Sequence, residues 1–534
     1  MIEPNALETD GLEATRISRS MSVFLVFVAA ISAYISFHYA LKIKFGPIDD
    51  HEVFKFLGPK KQIRWLDIPN LLWTKTEIGK WGTSPRYRPS YYTIRVFETK
   101  IFGANSALWY AFRLVLVSVV SFLLTSVALQ LANLRNKSLI AVCGVISILS
   151  VLSLNAWTEI ILRLGPAEFY LGVGYAFFLY LLIINIQKPR PATFIALTIS
   201  LVVVAGSKEN GISLLLPFLL LMAYLVKRNA LSKLLASVSG LFAIVYSTLV
   251  FLGPLSSIDT TGADIYGNQR SLKGSLILGL NYIKSSDFQR IFSLLLLIVL
   301  CSLLQRKLHS HNMTTQTIAP LMGAYFVLQI VLEHIFYMGN FSEPRYTLIT
   351  EISKTLLLLV AVFSTVGLVV DILGTRHLQA LVASLALLLL AFPATYSNFK
   401  TSATGNQKIA LSKVESTNVY QLKIRDIVQA LGNRSSENIV IQMNNIWDYE
   451  PAYAVIQYLQ YYGRGANFFL NLQIPPVPPG LETTLLAQLS DFQLNGSKDW
   501  NVKPKPVELG NNNFCIVFNG AAAVPNVCEA SYGA

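Results

Sequence analysis

The chain has 534 residues, 53% of them hydrophobic and only 14% charged, with a mean hydropathy of +0.49. Soluble domains carry about 25% charged residues, so most of this polypeptide is not solvated by water. The net charge of +13 does not point to nucleic acid. Residues 401–534 hold nine Lys and Arg against ten Asp and Glu, so the excess, 34 against 20, lies in residues 1–400, with no basic helix interleaved with aromatics.

Apolar runs close to the ~20 residues needed to cross a bilayer recur along 21–395. They fall at 21–41, 106–132, 138–154, 168–187, 191–206, 210–226, 231–252, 291–304, 315–337, 351–373 and 377–395. That predicts about eleven spans, necessarily helical because lipid offers no partner to an unpaired backbone group. Residues 1–20 form an acidic and polar tail without a small-residue cleavage site, so the first span reads as a retained anchor.

With Arg16 and Arg19 of the tail in the cytoplasm, the short inner loops carry ten Lys or Arg, among them Arg135, Lys188, Lys227, Arg306 and Arg376. The short outer loops carry three: Arg163, Lys208 and Arg345. This is the asymmetry of the positive-inside rule. It predicts a multi-pass protein of the plasma (inner) membrane with the N-terminus inside and residues 396–534 outside. The three outer cations each have a carboxylate within five residues: Glu168 after Arg163, Glu209 after Lys208, Glu343 before Arg345. Snorkelling with local ion pairing accounts for any one of them. Together with the acids described next, they predict a shared outer cavity lined by both signs of charge.

The first outer loop, 42–105, opens with Ile48-Asp49-Asp50-His51-Glu52, two adjacent carboxylates at a membrane mouth where desolvation is costly. The segments Arg64–Trp73 and Tyr91–Phe97 read as helices lying in the interface. Between them Arg86 and Arg88 bracket Tyr87 in a Pro-bounded turn, either a bidentate phosphate contact or a headgroup-facing basic turn. Arg113 sits about two turns inside the second span, where a charge is functional by default. Glu333 and His334, near the outer end of the ninth span, are weaker candidates.

After residue 396 the composition turns polar. Strand-like 438–442 and 514–518 and helix-like 453–459 and 485–489 predict a small α/β domain over 396–534. Cys143 and Cys301 fall inside spans. Cys515 and Cys528 fall in the outer domain, where an oxidising compartment would allow a disulfide. No Walker loop, GxGxxG unit, GxSxG elbow or Cys/His metal spacing occurs.

Asp49-Asp50 after the first span, Arg86-Tyr87-Arg88-Pro89 with Tyr91-Tyr92, Arg163-Leu164-Gly165-Pro166-Ala167-Glu168, Lys208-Glu209 and Arg345-Tyr346 together resemble the GT-C superfamily of membrane glycosyltransferases. The likeness covers about residues 20–350 and is nearest the polyprenyl-phosphate-sugar-dependent branch that includes protein mannosyltransferases. It implies an α-helical polytopic membrane module over 21–395, with the extracytoplasmic α/β domain behind it. It also implies a polyprenyl-phosphate-sugar donor held at the membrane lipid surface and a glycan, lipid or protein acceptor reached from outside. The expected roles follow. Asp50 is the base, and Asp49 orients the acceptor or, should a divalent metal take part, contacts it. Arg163, Lys208, Arg345, Arg86, Arg88 and Arg113 hold the donor phosphate, supported by Glu168, Glu209, Tyr346, His51 and Glu52. No other cofactor is implied. The Asp-Asp-His-Glu order, where many relatives have Asp-Glu, leaves open which aspartate acts. Two further readings stay open: an envelope polysaccharide polymerase or ligase, and a lipid or sugar transporter. The first would concentrate its arginines in a large mid-chain outer loop, and the second would show inverted repeats with midplane charges.

Overall fold

A computed structural model describes residues 17–82, 87–134, 136–261, 272–308, 313–336, 343–373, 377–432, 438–443, 449–464, 467–472, 513–518 and 525–528. Every apolar run expected to span is helical in it. Helix α1 (Arg19–Phe37) starts at Ser18, whose hydroxyl accepts from the Met21 amide, and closes in a 3-10 turn, His38–Lys42. The first loop contributes three short helices, α2 (His51–Leu57), α3 (Ile68–Lys75) and α4 (Pro89–Phe102), the last with Pro at its first turn, where a missing N–H costs nothing.

The bundle continues through α5 (Ser106–Leu131), α6 (Lys137–Leu152), the single turn and a half of α7 (Ala156–Ile161), α8 (Glu168–Gln187) and α9 (Pro191–Ala205). A 3-10 turn, Glu209–Leu214, leads into α10 (Leu215–Lys227), followed by α11 (Lys233–Thr261), α12 (Leu272–Ile283), α13 (Ser286–Leu308) and α14 (Met313–Phe336). A second such turn, Pro344–Thr347, opens α15 (Leu348–Leu373), and α16 (His377–Leu390) and α17 (Phe392–Leu431) complete the bundle.

Among the described residues eight helices are long and apolar enough to cross a membrane, or nine if the bent pair α16–α17 counts as one. The remaining two expected spans are α6 and α9, which have 16 and 15 residues and reach only about 22–24 Å at 1.5 Å per residue. Faces such as Leu216/Leu220 on α10 and Leu234/Val238/Leu241/Val245 on α11 remain exposed. An apolar face of that kind is stable only against lipid.

The polar stretch after 396 opens as helix, because α17 runs through that point to Leu431, and its later half meets the helix Tyr449–Tyr461, where Gln421 donates to the Tyr458 hydroxyl at 3.0 Å. The sheet follows: β1 (Asn438–Met443), β2 (Asn467–Leu472), β3 (Asn513–Phe518) and β4 (Pro525–Val527), in the order β2-β1-β3-β4. β1 is parallel to β2 and β3, and α18 (Tyr449–Tyr461) crosses between β1 and β2; β4 turns back antiparallel, tied to β3 by the Cys515–Cys528 disulfide. The helix expected at 485–489 lies outside the described residues.

α18 packs on α2, with Phe54 4.1 Å from Tyr458 and 4.9 Å from Tyr461, ring to ring. The sheet domain therefore sits at the end of the bundle that carries the first loop.

Candidate active site

The chain leaves α1 and turns sharply before α2. Asp49 takes a left-handed backbone (φ 63°), a conformation that non-glycine residues hold only when the surroundings impose it. The turn is closed by the Gly46 amide, which donates to Asp50 Oδ2 at 2.7 Å. The two aspartates consequently point apart. Asp49 is 26% exposed at its side chain and pairs with Arg163 at 2.7 Å, whereas Asp50 is 4% exposed and its Oδ1 has no hydrogen-bond partner. His51 is buried with its ring edge on Tyr453 of α18, and its Nδ1 is likewise unpartnered.

Glu52 faces α4. It lies 2.7 Å from the Tyr91 hydroxyl and 3.5 Å from Arg95 Nε. Tyr91 is also 2.8 Å from the Gly165 carbonyl. Burial raises the pKa of Glu52, against the pull of Arg95 and of the Tyr91 hydroxyl.

Arg95 is wholly buried, donates to the Leu164 carbonyl at 3.1 Å and lies 4.6 Å over Trp109. The amphipathic pattern of Tyr91–Phe97 predicts an interfacial helix, with no role for Arg95. The helix instead turns Tyr91, Tyr92, Arg95, Glu98 and Thr99 inward. The one available signal was the i, i+4 spacing of Tyr91 and Arg95, which puts both on one face.

Arg163 lies on the loop between α7 and α8, and Arg113 shapes that loop. From α5 it donates to the carbonyls of Ile160 (2.8 Å), Arg163 (3.2 Å) and Leu164, with its guanidinium 4.3 Å over Phe169. At 1% exposure and with those bonds made, it is a buried brace and is not presented to a phosphate.

A second cluster adjoins the first. Lys208 pairs with Glu168 and lies 4.4 Å over Tyr346. Arg345 pairs with Glu343, donates to Tyr346 Oη at 3.1 Å, and is within electrostatic range of both Glu168 and Asp49. The local pairing read from the sequence thus holds for Arg345 alone. Arg163 takes Asp49 rather than Glu168, and Glu168 goes to Lys208, because the loop ends converge in space. Glu209 opens the 3-10 turn beside Lys208. Arg88 pairs with Glu77 at 2.7 Å and lies 5.1 Å over Tyr91, so it borders the Glu52–Tyr91 contact, and Arg86 lies outside the described residues.

The electrostatics divide the four consecutive acid and base groups. Burial alone would raise Asp49, but Arg163 and Arg345, with smaller help from Arg95, hold it below the ordinary aspartate value. Burial pushes Asp50 up to about 6 against the pull of the Gly46 amide and Arg95. Burial lowers His51 to about 3, so the ring is neutral. Among the described residues no three His, Cys, Asp or Glu side chains come together as a metal site.

No protein-family model matches the chain, and no curated protein does. Among solved structures it is similar to the crystal structure of ArnT from Cupriavidus metallidurans bound to undecaprenyl phosphate. The two are 12% identical with a TM-score of 0.47, over 93% of each chain. A likeness of that size assigns no residue a role.

Proposed function

We propose that the chain is a GT-C-type membrane glycosyltransferase that moves a sugar from a polyprenyl-phosphate donor to an acceptor hydroxyl at the outer face of the membrane. The observation that carries this reading is the convergence of Asp49, Asp50, Arg163, Lys208 and Arg345 at one end of the bundle, together with its unmet hydrogen-bonding capacity. Asp50 Oδ1, His51 Nδ1, Arg95 Nη2, Arg163 Nε and Arg345 Nε are all buried without partners. Buried polar groups are ordinarily satisfied, so such a concentration fits a site shaped for a polar, anionic ligand.

In the reaction the acceptor oxygen attacks the anomeric carbon, the bond from that carbon to the phosphate oxygen breaks, and the hydroxyl proton passes to a carboxylate. Arg345, Lys208 and Arg163 offset the charge left on the lipid phosphate. A general base must first reach its proton. Asp49 is the more exposed carboxylate, so we assign the proton to it, reversing the order expected from the sequence. Its low pKa is no obstacle, because the attacking oxygen becomes far more acidic than a carboxylic acid as the bond forms. Asp50 holds the turn behind it. The excess of Lys and Arg in the short loops on the other side supports this face lying outside the plasma membrane, with the N-terminus inside.

Purified protein in detergent, where no transmembrane gradient exists, should transfer sugar from a synthetic polyprenyl-phosphate donor. Uptake by vesicles with no product would make it a transporter instead.

A further inference from the structure

Glu333 lies near the end of α14, inside a span, and is 1% exposed. Both of its carboxylate oxygens accept from Asn210 Nδ2 at 2.9 Å, and Oε1 also accepts from Gln329 Nε2 at 2.9 Å. A carboxylate at such a position is expensive, and neither amide neutralises it. Its partner is informative. Asn210 stands two residues after Lys208, in the 3-10 turn Glu209–Leu214, and is itself 4% exposed with its Oδ1 unpartnered.

The turn is gripped from the other side too. A Cβ added to Gly211 would fall 2.5 Å from the Val204 carbonyl, so the backbone is folded tightly onto the end of α9. The Lys208 amide also reaches the Val204 carbonyl, at 3.3 Å. With α9 on one side and Glu333 on the other, the turn has little freedom. That fixes where the Lys208 ammonium emerges, against Glu168 and over Tyr346.

We propose that Glu333 is a positioning residue for the donor phosphate: through Asn210 it clamps the turn that presents Lys208. The inference rests on the reading of Lys208 as a phosphate contact. An ionised carboxylate accepts both contacts from one amide, and a neutral glutamine at 333 would turn an N–H₂ toward the Asn210 N–H₂.

The test uses purified full-length protein with polyprenyl phosphate as the binding probe and a polyprenyl-phosphate sugar for turnover. Glu333→Gln should raise the donor KM and weaken polyprenyl-phosphate binding by about tenfold, while kcat at saturating donor falls less. In a Lys208→Gln background the same change should add almost nothing, since coupled residues are not additive. Asn210→Ala removes the other half of the clamp and should repeat the pattern where Glu333→Gln fails to fold. Equal losses with and without Lys208, or unchanged binding in both variants, would overturn the clamp while leaving the glycosyltransferase reading intact. A wild-type protein that neither binds polyprenyl phosphate nor transfers sugar would overturn both.

Discussion

Gly165 and Asp49 compete for the same space: a Cβ added to Gly165 would fall 1.8 Å from the Cβ of Asp49 and 2.6 Å from its Oδ2. The contact joins two loops more than a hundred residues apart and seats Asp49 beside Arg163. Gly165→Ala should therefore displace Asp49. Misplacing a reacting group by about 1 Å costs on the order of 10²-fold in rate, and overpacking costs about 1–3 kcal/mol of stability. The variant should insert and keep its helical circular dichroism but lose most transfer. Full activity would show that Asp49 is not held where the chemistry needs it.

The two aspartates should separate under substitution. Asp49→Asn removes the exposed carboxylate and should cut turnover by about 10²–10⁴-fold, the range for loss of a general base. Asp50→Asn keeps the acceptor for the Gly46 amide and should cost less. The opposite ranking in a transfer assay at equal protein would return the base to Asp50, and two active variants would end the catalytic reading of the pair.

Much of this was legible in the sequence. Spans announce themselves because lipid demands some twenty apolar residues per crossing, and β1 and β3 because β-branched and aromatic runs are bounded by polar breaks. The convergence of Arg163, Lys208 and Arg345 was visible because each breaks a charge rule at the same side. What composition hides is direction. Arg113 was rightly conspicuous inside a span, yet whether it faces a ligand or braces a loop depends on the Ile160–Leu164 carbonyls, which no local pattern reveals. Arg95 escaped notice because an amphipathic helix looks alike whether its polar face meets water or a buried cluster. The apolar pattern predicts that the last span stops at 395, yet α17 continues through that point to Leu431, because a helix leaving lipid changes its residues but not its backbone.

Asp50 gives stability a pH dependence. Its folded pKa of about 6 stands above the ordinary 3.8, so the folded state binds the proton more tightly than the unfolded one. That contribution is complete below about pH 4 and is lost as pH rises through about 6, a difference of roughly 3 kcal/mol at most. Asp50→Asn mimics the protonated form. Its Tm should exceed that of the wild type at pH 8, and the gap should close by pH 4. A Tm equal to or below the wild type at pH 8 would show that Asp50 is stabilised as the anion.

Two arginines should fail differently. Arg113→Ala would strand the carbonyls it braces, each unpaired buried group costing about 1–3 kcal/mol, so Tm should fall and activity with it. Arg345→Ala, at the site, should leave Tm nearly unchanged while donor binding weakens. Arg345→Lys should recover part of that binding, because the charge survives but the planar fork does not. Thermal unfolding and donor titration on the same preparations decide the matter. A matched loss of Tm in both would make Arg345 structural.

The orientation of the whole site rests on one asymmetry, ten cations in the short inner loops against three in the outer ones, and on the packing of His51 against Tyr453, which ties the sheet domain to the first loop. Both must lie on the same side, so a single labelling experiment fixes them together. Lys60 and Ala230 are exposed at opposite ends of the bundle. The native cysteines give little background, since Cys143 and Cys301 are buried and Cys515 and Cys528 are joined. Lys60→Cys should react with a membrane-impermeant maleimide in intact cells, whereas Ala230→Cys should react only after permeabilisation. The reverse pattern would put Asp49 in the cytoplasm, and the donor and acceptor would then have to be sought there.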